Sequence, residues 1–141
     1  MKKTDNKGFS LVELIIVIAI MAILIGVLAP QYMKYVEKSR TSADKDTLDS
    51  VYNACTVASA DPETSADEPS TGTITSLPAG KNWSSAVKET LGGMDLSDVN
   101  SKLKSKSAKG GSGSGTASTH ISIDANQNYT VWSGSITVPE N

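Results

Sequence analysis

The sequence predicts an α+β protein: one long N-terminal helix, apolar in its first half and amphipathic in its second, packed on a small head with an antiparallel β-sheet. Three observations lead there. Residues 9–29 are apolar almost without a break, and about 20 such residues span a ~30 Å hydrocarbon core. Beyond Gln31 the candidate buried residues recur mostly every three or four positions as far as Ala58, the period of a helix with one covered face. Near the C-terminus Ile121, Ile123, Tyr129 and Val131 alternate with polar residues, the period of a half-buried strand.

At 141 residues the chain is one domain plus whatever the apolar stretch does. Outside that stretch it is rich in Ser, Thr, Asp and Gly, with no Phe and two Trp, enough for a modest core. The formal charge is −2; removing residues 1–8 would take away three of 13 basic residues (Lys2, Lys3, Lys7) and one of 15 acidic ones (Asp5), leaving −4. A mildly acidic domain argues against general affinity for nucleic acid or anionic lipid. The single cysteine, Cys55, allows no intramolecular disulfide.

The apolar run contains a carboxylate, Glu13. An ionised acid at the bilayer centre costs about 2.5 kcal/mol or more and marks function with a partner. A secretory signal peptide would begin with basic residues and end at a small-residue cleavage site. Here Glu13 interrupts the run and Pro30-Gln31-Tyr32 is a poor exit. A plain signal anchor fits the length but leaves Glu13 and the Gly8-Phe9 junction without a purpose.

The segment Lys7-Gly8-Phe9-Ser10-Leu11-Val12-Glu13-Leu14 closely resembles the class III signal of type IV pilins and pseudopilins. The resemblance covers residues 1 to about 40. It implies that a prepilin peptidase cuts between Gly8 and Phe9 and that the new Phe9 amine is methylated. It also implies that residues 9–29 stay in the mature chain, and that Glu13 pairs with the Phe9 amine of the adjacent subunit during assembly. Removing one member of a buried ion pair typically costs about 3–5 kcal/mol, so such a pair would set register. Lys2, Lys3 and Lys7 precede the span, and Lys34, Lys38, Arg40 and Lys45 follow it. The positive-inside rule therefore gives no orientation; a cytoplasmic N-terminus comes from the resemblance.

Gly26 and Pro30 lie near the end of the run. They weaken a helix by about 1 and about 3 kcal/mol relative to Ala, and Pro30 removes a donor that would bond back to Gly26, so a kink is expected. The amphipathic half is read as a stripe of Tyr32, Tyr35, Val36, Ser39, Ala43, Leu48, Val51, Tyr52, Cys55 and Ala58, stopped by Asp61-Pro62. On this stripe Cys55 is a small buried hydrophobe. The expected organisation is residues 1–8 a cleaved leader, 9–30 a transmembrane and filament-core helix, 31–60 the amphipathic helix and 61–141 the head.

Within the head, residues 61–82 hold repeated breakers and read as loop with a short strand around Thr73-Ile74-Thr75. A helix is expected at Trp83–Leu91, ended by Gly92-Gly93, and a short element at Ser97–Leu103. Ser105–Ser118 is Gly/Ser-rich and reads as a flexible loop. A hairpin at Ile121–Val131 and a last strand at Ile136–Val138 give about three strands. Many diderm pilins close this region with a disulfide; the lone Cys55 departs from that pattern and resembles pilins of Gram-positive bacteria.

Chemistry is sparse. Asp124, Asn126 and Asn128 match the first three ligand positions of a calcium loop, but Tyr129 stands where the glycine belongs and Ser135 where the bidentate Glu belongs. A hairpin turn explains the same residues. Lys102, Lys104, Lys106 and Lys109 would form a stripe able to bind nucleic-acid phosphates if extended; no aromatic residue interleaves it, and a solvated Lys/Ser face explains it too. His120 reads as structural. Asn82-Trp83-Ser84 and Asn128-Tyr129-Thr130 fit the N-glycosylation triplet, a pattern short enough to recur by chance. No nucleophile–base set, phosphate loop or CxxC is present, so neither catalysis nor a cofactor is expected.

The resulting reading is a prepilin: a structural subunit that polymerises through its apolar helix into a type IV pilus for adhesion, surface motility or DNA uptake. Its expected partners are copies of itself, the peptidase and methyltransferase, an inner-membrane assembly platform and, before assembly, lipid. It is expected in the cytoplasmic membrane and then in the pilus at the cell surface. The alternatives are a pseudopilin of a type II secretion-like system and, from another class, a monomeric membrane-anchored ligand-binding module, which has no need of Glu13.

Overall fold

A computed structural model describes residues 8–111 and 115–140 of the chain. Helix α1 runs from Leu11 to Ala60, and the chain forms two compact units, one ending at Val36 and the other starting at Glu37.

In the first unit α1 remains helical through Gly26 and Pro30. Its apolar side chains from Leu11 to Leu28 are all exposed, between 48 % and 74 %. A β-carbon at Gly26 would meet nothing within 4 Å, so no packing inside the chain requires the glycine there.

In the second unit α1 provides one wall of the core. Its buried positions are Asp44, Leu48, Val51, Ala54, Cys55 and Ala58, spaced three and four apart along one face. The stripe predicted from sequence is correct from Leu48 onward except that Ala54 joins it and Tyr52 is only half-buried. Tyr32, Tyr35, Ser39 and Ala43 are exposed; at the next turn it is Asp44, not Ala43, that is covered.

Asp61 ends α1 and caps a short helix α2 (Pro62–Ser65), accepting from the Glu63 N–H at 2.9 Å. The breaker reading of this stretch missed α2, because Asp-Pro is as good a start as a stop: proline suits the first helical turn, where its missing donor is not needed. Strand β1 (Gly72–Ile74) and helix α3 (Asn82–Thr90) follow. Helix α3 closes with Gly92 N–H on the Glu89 carbonyl at 2.9 Å and Gly93 N–H on the Lys88 carbonyl at 2.8 Å. That Schellman pattern requires the left-handed backbone of Gly92, φ 69°. Helix α4 (Leu96–Lys102) starts with a capping box: Asp95 accepts from Leu96 N–H at 2.7 Å and Asp98 accepts from Asp95 N–H at 2.9 Å.

Strands β2 (His120–Ile123), β3 (Tyr129–Ser133) and β4 (Ile136–Val138) complete an antiparallel sheet in the order β1-β2-β3-β4. It has four strands rather than about three, since the short strand expected near Thr73 joins the sheet, pairing Thr73 with Ser122. Ile121, Ile123, Tyr129, Val131, Ile136 and Val138 face the core, and Ser122, Thr130, Trp132 and Thr137 the other side. Together with Leu48, Val51, Cys55, Trp83, Val87, Leu96, Val99 and Leu103 they form one hydrophobic core.

Residues 104–111 are not a loose loop. The buried Asp44 carboxylate, 2 % exposed, accepts from Lys104 N–H at 2.9 and 3.0 Å and from Ser105 N–H at 2.7 Å. Glu37, two turns earlier on α1, accepts from Lys106 N–H. On the other side the β3–β4 turn docks: Ser135 N–H donates to the Ser107 carbonyl and Ser133 Oγ to the Ala108 carbonyl, both at 3.0 Å. Composition suggested flexibility; acids of α1 and the sheet turn supply this segment with fixed partners.

Candidate functional site

The start of α1 holds the residues singled out by sequence. Gly8, Phe9 and Ser10 precede the helix in non-helical, exposed chain, and Phe9 is 94 % exposed. Leu14 N–H bonds to the Ser10 carbonyl at 3.2 Å, which makes Ser10 the cap and Glu13 the third helical residue. Glu13 Oε2 then accepts from the Ser10 N–H at 2.9 Å. This is the acid half of a capping box, and a negative charge there also suits the positive end of the helix dipole. Glu13 is thus not an isolated acid in an apolar run. It has a backbone partner within its own turn, while Oε1 has none among the described residues. The spacing Ser10-x-x-Glu13 is itself the sequence signal of this arrangement.

An exposed apolar surface larger than a few hundred Å² marks a membrane or protein contact. Among the described residues α1 is the one helix long and apolar enough to cross a membrane.

The head residues considered for chemistry are occupied structurally. Asp124 Oδ1 accepts from Asn126 N–H at 2.7 Å and Asn128 N–H at 2.9 Å, and Oδ2 from Asn128 Nδ2 at 3.0 Å. The Asn128 backbone bond, with the Asn128 side-chain and Asn126 backbone bonds, holds the exposed carboxyl below the usual carboxylate range. These oxygens organise the β2–β3 turn, in which Gln127 adopts a left-handed φ of 60°. No cluster of three metal-ligating side chains occurs among the described residues. His120 stacks on Trp132 at 3.8 Å between ring centroids, and its Nδ1 lies 2.9 Å from the Ser118 carbonyl. The lysine stripe is not extended: Lys102 ends α4, Lys104 Nζ bonds to the Ser101 carbonyl at 2.8 Å, and Lys106 and Lys109 lie in the turns that follow.

Cys55 is fully buried, and burial, with a smaller contribution from Glu68, pushes its thiol up to about 12. Beside it a polar knot ties α1 to the head. Ser59 Oγ bonds to the Cys55 carbonyl at 3.0 Å, to Glu68 Oε1 at 3.0 Å and to Tyr129 Oη, and receives the Trp83 indole N–H at 3.1 Å. Tyr129 Oη also donates to Glu68 Oε1. Ser59 and Glu68 went unnoticed in the sequence because nothing local distinguishes them. Asp44 carried a signal: it lies four residues before Leu48 and seven before Val51, on the apolar face.

The prokaryotic N-terminal methylation motif matches residues 3–29, which include the Gly8–Phe9 junction, Glu13 and the apolar half of α1. This segment is the part of the chain that is similar to type IV pilins. The type IV major pilin protein PilA of Myxococcus xanthus is 41 % identical over 49 residues, 35 % of this chain and 22 % of that protein. The type IV major fimbrial protein FimA of Dichelobacter nodosus is 48 % identical over 40 residues, 28 % of this chain and 26 % of that protein. The alignments thus span about a quarter of these pilins' own lengths. No solved structure gives a significant match. The long helix packed on a small antiparallel sheet is a pilin-like α+β architecture.

Proposed function

We propose that this chain is a prepilin whose mature form polymerises through the apolar half of α1 into a type IV pilus. The observation that carries the reading is the exposed apolar half of α1 with Glu13 in its first turn, directly after the non-helical Gly8–Phe9 junction. An apolar rod of this length needs lipid or other helices around it. The non-helical, exposed Gly8–Phe9 bond is a suitable peptidase substrate, and cutting it frees an amine at Phe9, available for methylation. The cleaved leader is 1–8, the membrane and filament-core segment 9–30, the amphipathic helix 31–60 and the head 61–141. The subunit waits in the cytoplasmic membrane with its N-terminus cytoplasmic, is recruited by an assembly platform, and ends in a surface pilus serving adhesion, motility or DNA uptake.

Glu13 sets register by receiving the Phe9 amine of the neighbouring subunit on the carboxylate oxygen left free by Ser10. Gly26 and Pro30 are the point at which the helix bends or loosens in the filament, since each lowers helix propensity. Mass spectrometry of the mature N-terminus together with electron microscopy of sheared surface filaments tests the proposal. A methylated Phe9 terminus in filaments is the expected result; a mature chain still starting at Met1 and absent from filaments overturns it. Glu13→Ala is expected to be processed normally yet to reduce filament yield severely, and wild-type yield would remove Glu13 from assembly.

A further inference from the structure

The N-terminus of α3 is built unlike the other helix starts of the head. Asp61 and Asp95 cap α2 and α4 with their side chains, whereas Lys81 at the α3 cap makes no side-chain bond. The first intrahelical donor is Ser85, whose N–H bonds to the Lys81 carbonyl at 3.1 Å. Asn82 N–H reaches Asp67 Oδ2 at 3.2 Å. The N–H groups of Trp83 and Ser84 have no acceptor among the described residues. Two donors at the positive end of a nine-residue helix are therefore uncommitted.

A second feature lies at the same place. Ser84 is only 7 % exposed, and its Oγ has no hydrogen-bond partner. The other helical hydroxyls of α3 satisfy themselves on the carbonyl four residues back, Ser85 on Lys81 and Thr90 on Ala86. For Ser84 that residue is Gly80, outside the helix with φ 73°, and the bond is not made. A buried hydroxyl without a partner costs about 1–3 kcal/mol. Such a group calls for a ligand.

Ser84 lines a cavity of about 260 Å³ together with Lys81, Ser85, Lys88 and Asp95, walled by the Leu77–Gly80 turn. Ser84 and Lys88, four residues apart, share one face of α3, and Lys81 at its cap lines the same cavity. Of the acids nearby, Asp95 is engaged with the Leu96 N–H and Asp67 with the Asn82 N–H. Free donors, a hydroxyl and two ammonium groups make up the equipment of an anion site.

We propose that this cavity binds an oxyanion of the phosphate or sulfate class, held by the N–H and hydroxyl of Ser84 and the ammonium groups of Lys81 and Lys88. The site is independent of polymerisation and lies wholly within the head. The anion is either free in solution or a phosphodiester headgroup of lipid; both present the same oxygens.

Amide shifts of the full-length chain in neutral detergent, titrated with inorganic phosphate or sulfate against chloride at matched ionic strength, test the proposal. Saturable shifts at Trp83, Ser84 and Ser85 are expected, and Lys81→Gln or Lys88→Gln should each weaken binding about tenfold. Vesicles containing phosphatidylglycerol, set beside phosphatidylcholine alone, assign the source: saturation by the former and not by the inorganic ions names the headgroup. Ser84→Ala supplies the readout that a structural role would not move, because removing an unsatisfied hydroxyl should raise Tm without ligand while weakening binding. The proposal is overturned if neither the inorganic anions nor the phosphatidylglycerol vesicles give saturable shifts there. Shifts that the lysine variants leave unchanged overturn it too, as does a Ser84→Ala chain less stable than wild type.

Discussion

Replacing Asp44 by alanine removes the one acceptor of two backbone donors that have no alternative. Asp44 is 2 % exposed and Ser105 fully buried, so water cannot take over the Ser105 N–H. The Lys104 N–H is part-buried and loses its 2.9 and 3.0 Å bonds. Leaving a buried donor unsatisfied costs about 1–3 kcal/mol, and bonds to a charged acceptor lie at the upper end of the hydrogen-bond range. A full cost at Ser105 and a partial one at Lys104 give about 2–4 kcal/mol. A small domain is stable by only about 5–15 kcal/mol, so the head would unfold at markedly lower denaturant. Asp44→Asn keeps one acceptor oxygen and should lose roughly half as much. Urea unfolding followed by fluorescence of the two tryptophans, both in the head, measures the change. Asp46→Ala, exposed on the same helix, is the control and should stay within about 0.5 kcal/mol of wild type. If Asp44→Ala matched that control, the idea that α1 fastens the 104–106 segment through this carboxylate would be wrong.

Four further outcomes are expected. Gly134 has φ 59°, and an added β-carbon would fall 2.1 Å from the Ser107 carbonyl oxygen and 2.8 Å from that of Ala108. Gly134→Ala should therefore lower stability by about 2–4 kcal/mol, from left-handed strain and overpacking together, while Ala at Gly26, with open space around it, should leave head unfolding unchanged. The Cys55 thiol rises from its ordinary 9.0 to about 12 on folding. Its proton is thus held more tightly in the folded chain. The corresponding stability is complete below pH 9 and falls between pH 9 and about 12, approaching about 1.4 kcal/mol per pH unit. Cys55→Ala should lack that component of the alkaline slope, and the native thiol should resist alkylation at pH 8 until the head unfolds. Calcium titrated into the protein should give no saturable heat, because the Asp124 oxygens already serve the β2–β3 turn. The lowered Asp124 carboxyl predicts instead that this turn is stabilised above about pH 4 and loses that contribution as the pH falls through the folded-state value.

Much of the molecule was written locally. The apolar half of α1 and the alternation of β2 and β3 depend on neighbours within a few residues, and each appears where the sequence placed it. The same holds for the Gly92-Gly93 stop and the Asp95 start, since caps are short-range chemistry. Tertiary contacts decided the rest. Asp44 meets Ser105 across 61 positions, Gly134 meets Ser107 with strands β2 and β3 between them in the sequence, and Ser59 gathers Glu68 from a loop, Trp83 from α3 and Tyr129 from β3. No period or motif encodes such meetings, because a backbone donor looks the same everywhere in a sequence and becomes a demand only when folding removes its water. That is why a segment composed like a loose loop is fastened, and why the Ser84 hydroxyl, ordinary in the sequence, stands out only once it is buried.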